Sequence, residues 1–211
     1  MKEEGLNSIV YSKNVIEFIT VANEFCSFLE RSEEIESTDF MSRLQKLLPL
    51  LYLKTSLLPE FGTGDEEEDD LEKFVSEMDY NLIQEKIRGH TKASDDYQDV
   101  FVTGMQFSEE ALTCSISEDT ADIYQEMKDL VMSFRTMNEE VMEQALYEMQ
   151  NNFAHLWGQK LVNCIRALHN IIYGENNLDD DLESESKQNE KLKNTNRKPD
   201  WLNDRFSNQG E

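Results

Sequence analysis

Residues that break helices or cross-link chains are scarce in this sequence. Its 211 residues include 3 prolines, 8 glycines and 3 cysteines. So few breakers leave long helices free to form. Cys26, Cys114 and Cys164 are single, widely spaced and odd in number. With no CxxC pair and no Cys/His ligand spacing they argue against a zinc site, and they read as reduced, buried, small hydrophobes. Long apolar runs are missing too. The longest, LLPLLYL at 47–53, is much too short to span a bilayer. MKEEGLNSIVYSKN at the start has no basic stretch followed by an unbroken apolar one, so no signal peptide is read there, and the expected location is the cytoplasm. Catalytic signatures are also lacking. No GxSxG elbow occurs, and Gly62 and Gly64 precede an acidic run that would repel a phosphate.

Acid, by contrast, is abundant. Against 20 Lys and Arg stand 44 Asp and Glu, for a formal charge of −24. Residues 175–211 hold ten acids and six bases and account for only −4 of it, so the acidity belongs to the first 174 residues. Nucleic-acid binding needs Lys and Arg to neutralise phosphates, so direct DNA or RNA binding and docking to anionic membranes are disfavoured. Solubility, a basic protein partner, or mimicry of nucleic-acid charge fit such a surface.

Apolar residues at three- and four-residue steps (Val15, Ile19, Ala22, Cys26, Leu29) predict a first helix over 13–31, opened by Ser12. Thr38 is read as the cap of a second, with Phe40, Leu44, Leu47, Leu48 and Leu51 inward and Pro49 expected to kink or divide it. FGTGDEEEDD (61–70) has the acids of a calcium loop without its alternating spacing, and reads as a solvated connection. A third helix is expected over 70–88, with Leu71, Phe74, Val75, Met78, Leu82 and Ile87 inward. Residues 89–115 mix loop and strand signals. A lone strand would have no partner, so a sheet is rejected there in favour of a short helix or a packed loop. Ser115 with Glu118 forms a capping-box pattern for a helix over 117–135. Asn138 caps a last helix running to Tyr173, with Gly174 as its stop and a bend expected near Gly158. Gly158 itself reads as a notch for a neighbouring helix. The fold class is therefore all-α: a bundle of five to six long, mostly antiparallel helices. Residues 1–174 are read as the helical domain and 175–211 as a polar, disordered tail.

That tail ends in KPDWLNDRF, where Trp201, Leu202 and Phe206 form an apolar cluster fit to dock on this domain, a second copy or another protein. In the last helix FAHLWGQKLVNCIRALHNI gathers His155 and His169. They are about 21 Å apart along an ideal helix, too far to share a metal. Counted at 100° per residue, His155, Gln159 and Arg166 form a polar stripe and a possible interaction face, opposite Trp157 and Cys164. One metal alternative stands beside this reading. All-α nucleotide pyrophosphohydrolases hold magnesium with ExxE and ExxD acids on neighbouring helices. Here Glu126 and Asp129 match the second pattern, and Glu139, Glu140 and Glu143 the first, in reversed order.

The stretches LQKLLPLLYLKTSLLP (44–59), ISEDTADIYQEMKDLV (116–131) and the WG-x-x-L…RALH pattern from Trp157 to His169 resemble a bacterial family known as a domain of unknown function (number 5063), found in Bacteroides-type and some other bacteria. The resemblance covers about residues 10–173. It implies an all-α fold and carries over no catalytic residue, metal or cofactor. The leading functional expectation is a non-enzymatic, acidic, helical interaction protein. A magnesium-dependent phosphohydrolase and a nucleic-acid charge mimic are the alternatives.

Overall fold

The computed structural model describes residues 8–62, 71–99 and 112–174. Six α-helices are present among them: α1 (Lys13–Glu30), α2 (Ser37–Ser56), α3 (Glu77–Thr91), α4 (Ile116–Arg135), α5 (Glu139–Asn152) and α6 (Gly158–Tyr173). One turn of π-helix, Phe153–Trp157, joins the last two. The chain separates into two compact units, 1–170 and 171–211. Of the second, only the end of α6 and Gly174 are described. The tail residues Trp201, Leu202 and Phe206 lie outside the described residues, as do most of the 61–70 loop and the middle of 89–115.

Cross-helix hydrogen bonds fix the course of the chain. Asn14 at the start of α1 donates to the Leu57 carbonyl at the end of α2 (2.8 Å), and Lys54 bonds Glu17 at 2.6 Å. Ser37 at the start of α2 meets His90 at the end of α3. Tyr80 reaches Asp122, and the coil before α3 reaches Asp129, so α4 runs back along α3. Asn152 on Glu126 and Lys160 on Asp122 then return the α5–α6 rod along α4. The successive pairs along this course, α1–α2, α2–α3, α3–α4 and α4 with the α5–α6 rod, are antiparallel, the arrangement short connections favour.

The inward stripes bury Phe18, Phe25 and Leu29 of α1 against Phe40, Leu44, Leu48 and Leu51 of α2, all fully buried. Ile123 and Met127 of α4 and Trp157 and Leu161 of the rod complete the core. Each such side chain contributes on the order of 1.5–3 kcal/mol by leaving water.

Local signals explain most helix ends. Ser115 Oγ accepts from Glu118 N at 3.1 Å and Asn138 Oδ1 from Glu140 N at 3.0 Å, both as the sequence predicts. Other ends differ. Helix α3 begins at Glu77, not near 70, because Ser76 and Asp79 form a complete capping box there. Residues 71–76 are extended coil; Met78 is 79% exposed and Leu82 47%, so neither faces inward as expected. Glu36 precedes α2 and Thr38 lies within it. Ser12 does precede α1, yet its buried hydroxyl has no partner among the described residues. Pro49 does not divide α2, which is continuous to Ser56. His90, beyond the expected end of the third helix at 88, is buried in the last turn of α3.

The rejected sheet is also corrected. Asp96–Gln98 (β1) pairs antiparallel with Thr113–Ser115 (β2), Tyr97 opposite Cys114. A single strand there would indeed lack a partner; the stretch supplies both strands itself, and the ribbon packs on α4 rather than standing alone.

His90 illustrates how a buried polar group ties two connections together. Its ring stacks on Phe40 at 4.1 Å. Nε2 lies 3.0 Å from the Ser32 carbonyl, which can only accept, so Nε2 carries the hydrogen and Nδ1 accepts from Ser37 Oγ at 3.4 Å. Burial pulls the imidazole below its ordinary value, against the Ser32 bond. The unfolded chain therefore binds the proton first, near pH 6.5. Stability from this group is complete above that pH and falls below it, by at most about 1.4 kcal/mol per pH unit. Chemical denaturation between pH 7.5 and 5 should show this extra slope in the natural chain and not in His90→Phe. Equal slopes would refute the neutral-imidazole assignment.

Candidate functional site

The densest polar chemistry lies where the ribbon and the start of α4 meet α6. Asp95, 5% exposed, accepts from Thr91 Oγ1 (2.7 Å), Ser117 N (2.9 Å), Ser117 Oγ (2.6 Å) and Ser115 Oγ (2.9 Å), and Arg88 Nε stands 3.5 Å away. Burial raises this carboxyl, but the hydroxyl and amide donors outweigh it and hold it below the ordinary aspartate range. One acid thus locks the end of α3, the ribbon and the beginning of α4.

Beside it runs a chain of charges. Tyr97 donates to Asp119, Lys160 pairs with both Asp119 (3.3 Å) and Asp122, and Tyr80 donates to Asp122 at 2.7 Å. Burial lowers Lys160, and the two carboxylates overcome that and hold it above the usual lysine range. Such an amine stays an ammonium, and its chemistry is that of a structural cation rather than a nucleophile or base. Asp119 is raised, chiefly by burial, with Tyr97 and Lys160 opposing. Further along α6, Asn163 donates to Asp99 at 3.1 Å and Arg166 to the Gln98 carbonyl at 2.5 Å, fastening the outer end of β1.

The three residues of the suspected polar stripe are exposed and separately bonded. His155 bonds the Asn151 carbonyl of its own helix (2.8 Å), Gln159 bonds Asn163, and Arg166 reaches the ribbon. His155 lies within the π-turn and the other two follow it. The i→i+5 bonding of the turn departs from 100° per residue, so a face counted from His155 at that angle is displaced. Gly158 is not a notch for another helix either. A Cβ there would meet the Phe153 carbonyl oxygen at 2.4 Å and the Phe153 ring at 3.0 Å, both from the π-turn itself.

The five acids of the magnesium alternative are likewise dispersed. Glu126 accepts from Asn152 (3.0 Å) and Asp129 from the Phe74 and Val75 amides (2.8 and 3.2 Å). These two line a hollow of about 20 Å³ with Lys73 and Glu148. Burial raises both carboxyls. Glu139, Glu140 and Glu143 are exposed at the start of α5. Among the described residues no three His, Cys, Asp or Glu side chains are grouped to hold a metal.

A wider cleft of about 290 Å³ opens between α3 and α4 at the end of α1, floored by Phe74, Val75 and Ile83. Its polar rim is already satisfied: Glu30 accepts from Lys128 (2.5 Å) and Tyr124 (3.0 Å), while Lys86 donates to the Glu30 carbonyl and pairs with Glu33. Sequence reasoning missed Asp95, Asp119 and Lys160. The two serines flanking the α4 start were a visible signal for an acid facing them, although nothing in the sequence said which acid.

The thiols are poor nucleophiles. Burial pushes Cys26 up to about 12 and raises Cys164 and, less deeply placed, Cys114. At pH 8 a thiol reagent is expected to modify Cys114 alone in the native chain, and all three only after denaturation. Native labelling of Cys26 or Cys164 at the Cys114 rate would contradict their burial.

Fold and cluster together define an all-α helical domain whose convergent charges are compensated internally. The chain belongs to the family described as Domain of unknown function (DUF5063), whose model matches residues 9–174. It is also similar to a solved structure, the crystal structure of protein BF1032 from Bacteroides fragilis. The two are 41% identical with a TM-score of 0.68, and the match covers 78% of this chain and 96% of that one. No curated protein matches the sequence. No helix among the described residues is long and apolar enough to cross a membrane.

Proposed function

We propose that the chain is a non-enzymatic, acidic helical domain of the bacterial cytoplasm that binds a protein partner of basic character. One contrast in the placement of charge carries the reading. Where charges converge inside the bundle they are already neutralised, as at Lys160 between Asp119 and Asp122. Acids without a structural task are turned outward, as with Glu139, Glu140 and Glu143 on α5. An outward acidic surface speeds and orients encounter with a basic protein. The terminal apolar cluster Trp201, Leu202 and Phe206 supplies a second point of attachment.

A pull-down with the full chain and with one ending at Thr195 tests the role of the tail. Loss of a partner on truncation is expected; identical partners, or none from either, count against it. Binding that weakens from low to high salt supports the charged surface, and salt-independent affinity counts against it. Mimicry of nucleic-acid charge is a special case of this reading, recognised by competition between the partner's binding to this chain and to DNA. Millimolar Mg²⁺ is expected neither to raise the melting temperature nor to support turnover of a nucleotide panel. Either effect would overturn the non-enzymatic reading in favour of the phosphohydrolase.

A further inference from the structure

The outward face of α2 carries an unusual stripe. Arg43, Lys46, Leu50, Leu53 and Leu57 recur at alternating steps of three and four. Leu50, Leu53 and Leu57 are 38%, 52% and 49% exposed, whereas Leu44, Leu48 and Leu51 on the opposite face are fully buried. Single exposed leucines are ordinary, but three in register at this spacing form the seam of a helix pair. Tyr52, 40% exposed, extends the apolar face towards Phe153, on whose ring it rests edge-on at 5.1 Å.

Charge along the same stripe is polarised. Helix α2 holds one acid, Asp39, and three bases, Arg43, Lys46 and Lys54; α4 holds five acids and two bases, α5 four acids and none. Lys54 is occupied by Glu17; Arg43 and Lys46 are the exposed bases, both in the first half of the helix, where Arg43 stands 3.5 Å from Asp39 and Lys46 leaves that half net basic. At the other end stand the helix C-terminus, with its partial negative charge, and the exposed Glu60. The stripe therefore runs basic, apolar, acidic.

We infer that this face binds a second copy of the chain, α2 against α2 in antiparallel orientation, about a two-fold axis between Leu50 and Leu53. A two-fold interface must be complementary to itself. Antiparallel pairing sets Leu50 against the partner's Leu53 and lays Arg43 and Lys46 over the partner's last helical turn and Glu60, twice by symmetry. A parallel pair would oppose Arg43 to Arg43 and Lys46 to Lys46. An acidic helix of another protein would suit the basic half and be repelled at Glu60, so the second copy fits the whole stripe. This stripe uses none of the residues named in the proposed function, and the inference does not depend on the partner reading above.

One helix face per copy buries less than the ~800 Å² per partner of a standard interface, so association is expected in the micromolar range. With −24 on each copy, about 0.15 M salt is needed to screen the general repulsion. Sedimentation of the full chain between ~5 and ~200 µM should show the mass rising from 24.7 kDa towards twice that value. Leu53→Glu, on an exposed site and checked for native circular dichroism, sets two acids together at the axis and should weaken association roughly 100-fold. Arg43→Glu should weaken it roughly 10-fold, and adding Glu60→Arg to that variant should restore most of the loss. A monomer at every concentration, or a dimer indifferent to Leu53→Glu, overturns the inference. A dimer that the charge exchange fails to rescue overturns the antiparallel arrangement.

Discussion

Asp95→Ala is expected to cost about 3–5 kcal/mol of folding stability, the largest effect of any single substitution considered. The carboxylate is the acceptor for three hydroxyl groups and one backbone amide inside the protein. Alanine would strand these donors away from water at about 1–3 kcal/mol each, not fully additively. The damage would spread, because Ser115 also caps α4 through Glu118 N, and the Ile116 amide bonds the Asp95 carbonyl. Asp95→Asn keeps one acceptor oxygen and should lose roughly half as much. Acid dependence gives a second check. The folded carboxyl titrates below the unfolded value of about 3.9, so its contribution is complete above that value and disappears as pH falls through the folded value. Denaturant unfolding of both variants from pH 7 to 3 measures both effects. Natural-like stability of Asp95→Ala would show that the ribbon and α4 hold together without the latch.

Gly158→Ala should lower stability by about 2–4 kcal/mol, with a fall in melting temperature of roughly 5–15 °C. In an ordinary helix the same change gains up to ~1 kcal/mol, so the sign itself is diagnostic. At this position the Gly158 amide bonds the Phe153 carbonyl five residues back, and an added methyl would sit 2.4 Å from that oxygen. The Phe153 ring cannot easily yield, held at 5.1 Å from Tyr52 and 4.6 Å from Trp157. Since the worst contact is with backbone, trimming the ring with Phe153→Ala should not rescue Gly158→Ala. A stabilising or neutral Gly158→Ala would mean that the π-turn converts to α-helix at no cost.

The glycine and the bend were legible in the sequence, but their cause was not. A small residue beside Trp157 reads equally as a notch for a neighbour or as room for the helix to close on itself. Choosing between them requires knowing that Phe153 is clamped by Tyr52, 101 residues earlier. The π-turn also displaces the count by which His155, Gln159 and Arg166 share a face, because that count assumed uniform helix. The ribbon was missed for a related reason. Three-residue strands carry almost no periodic signal, and their stability comes from Asp95 and α4 rather than from their own composition.

What the sequence by itself determined is the set of helices and much of their boundaries: Ser115 and Asn138 as caps, the inward stripes of α1 and α2, the all-α class and its family. These follow from rules that act within a few residues, namely capping, side-chain period and scarcity of breakers. Only the tertiary structure decided which polar groups meet: Asp95 with Ser117, Asp129 with Phe74 and Val75, Lys160 with Asp119 and Asp122. Those partners lie 22 to 55 residues apart in the chain. In a sequence with 44 acids, composition offers each base many candidate partners. Helix packing selects one by bringing it within reach and removing water from around it.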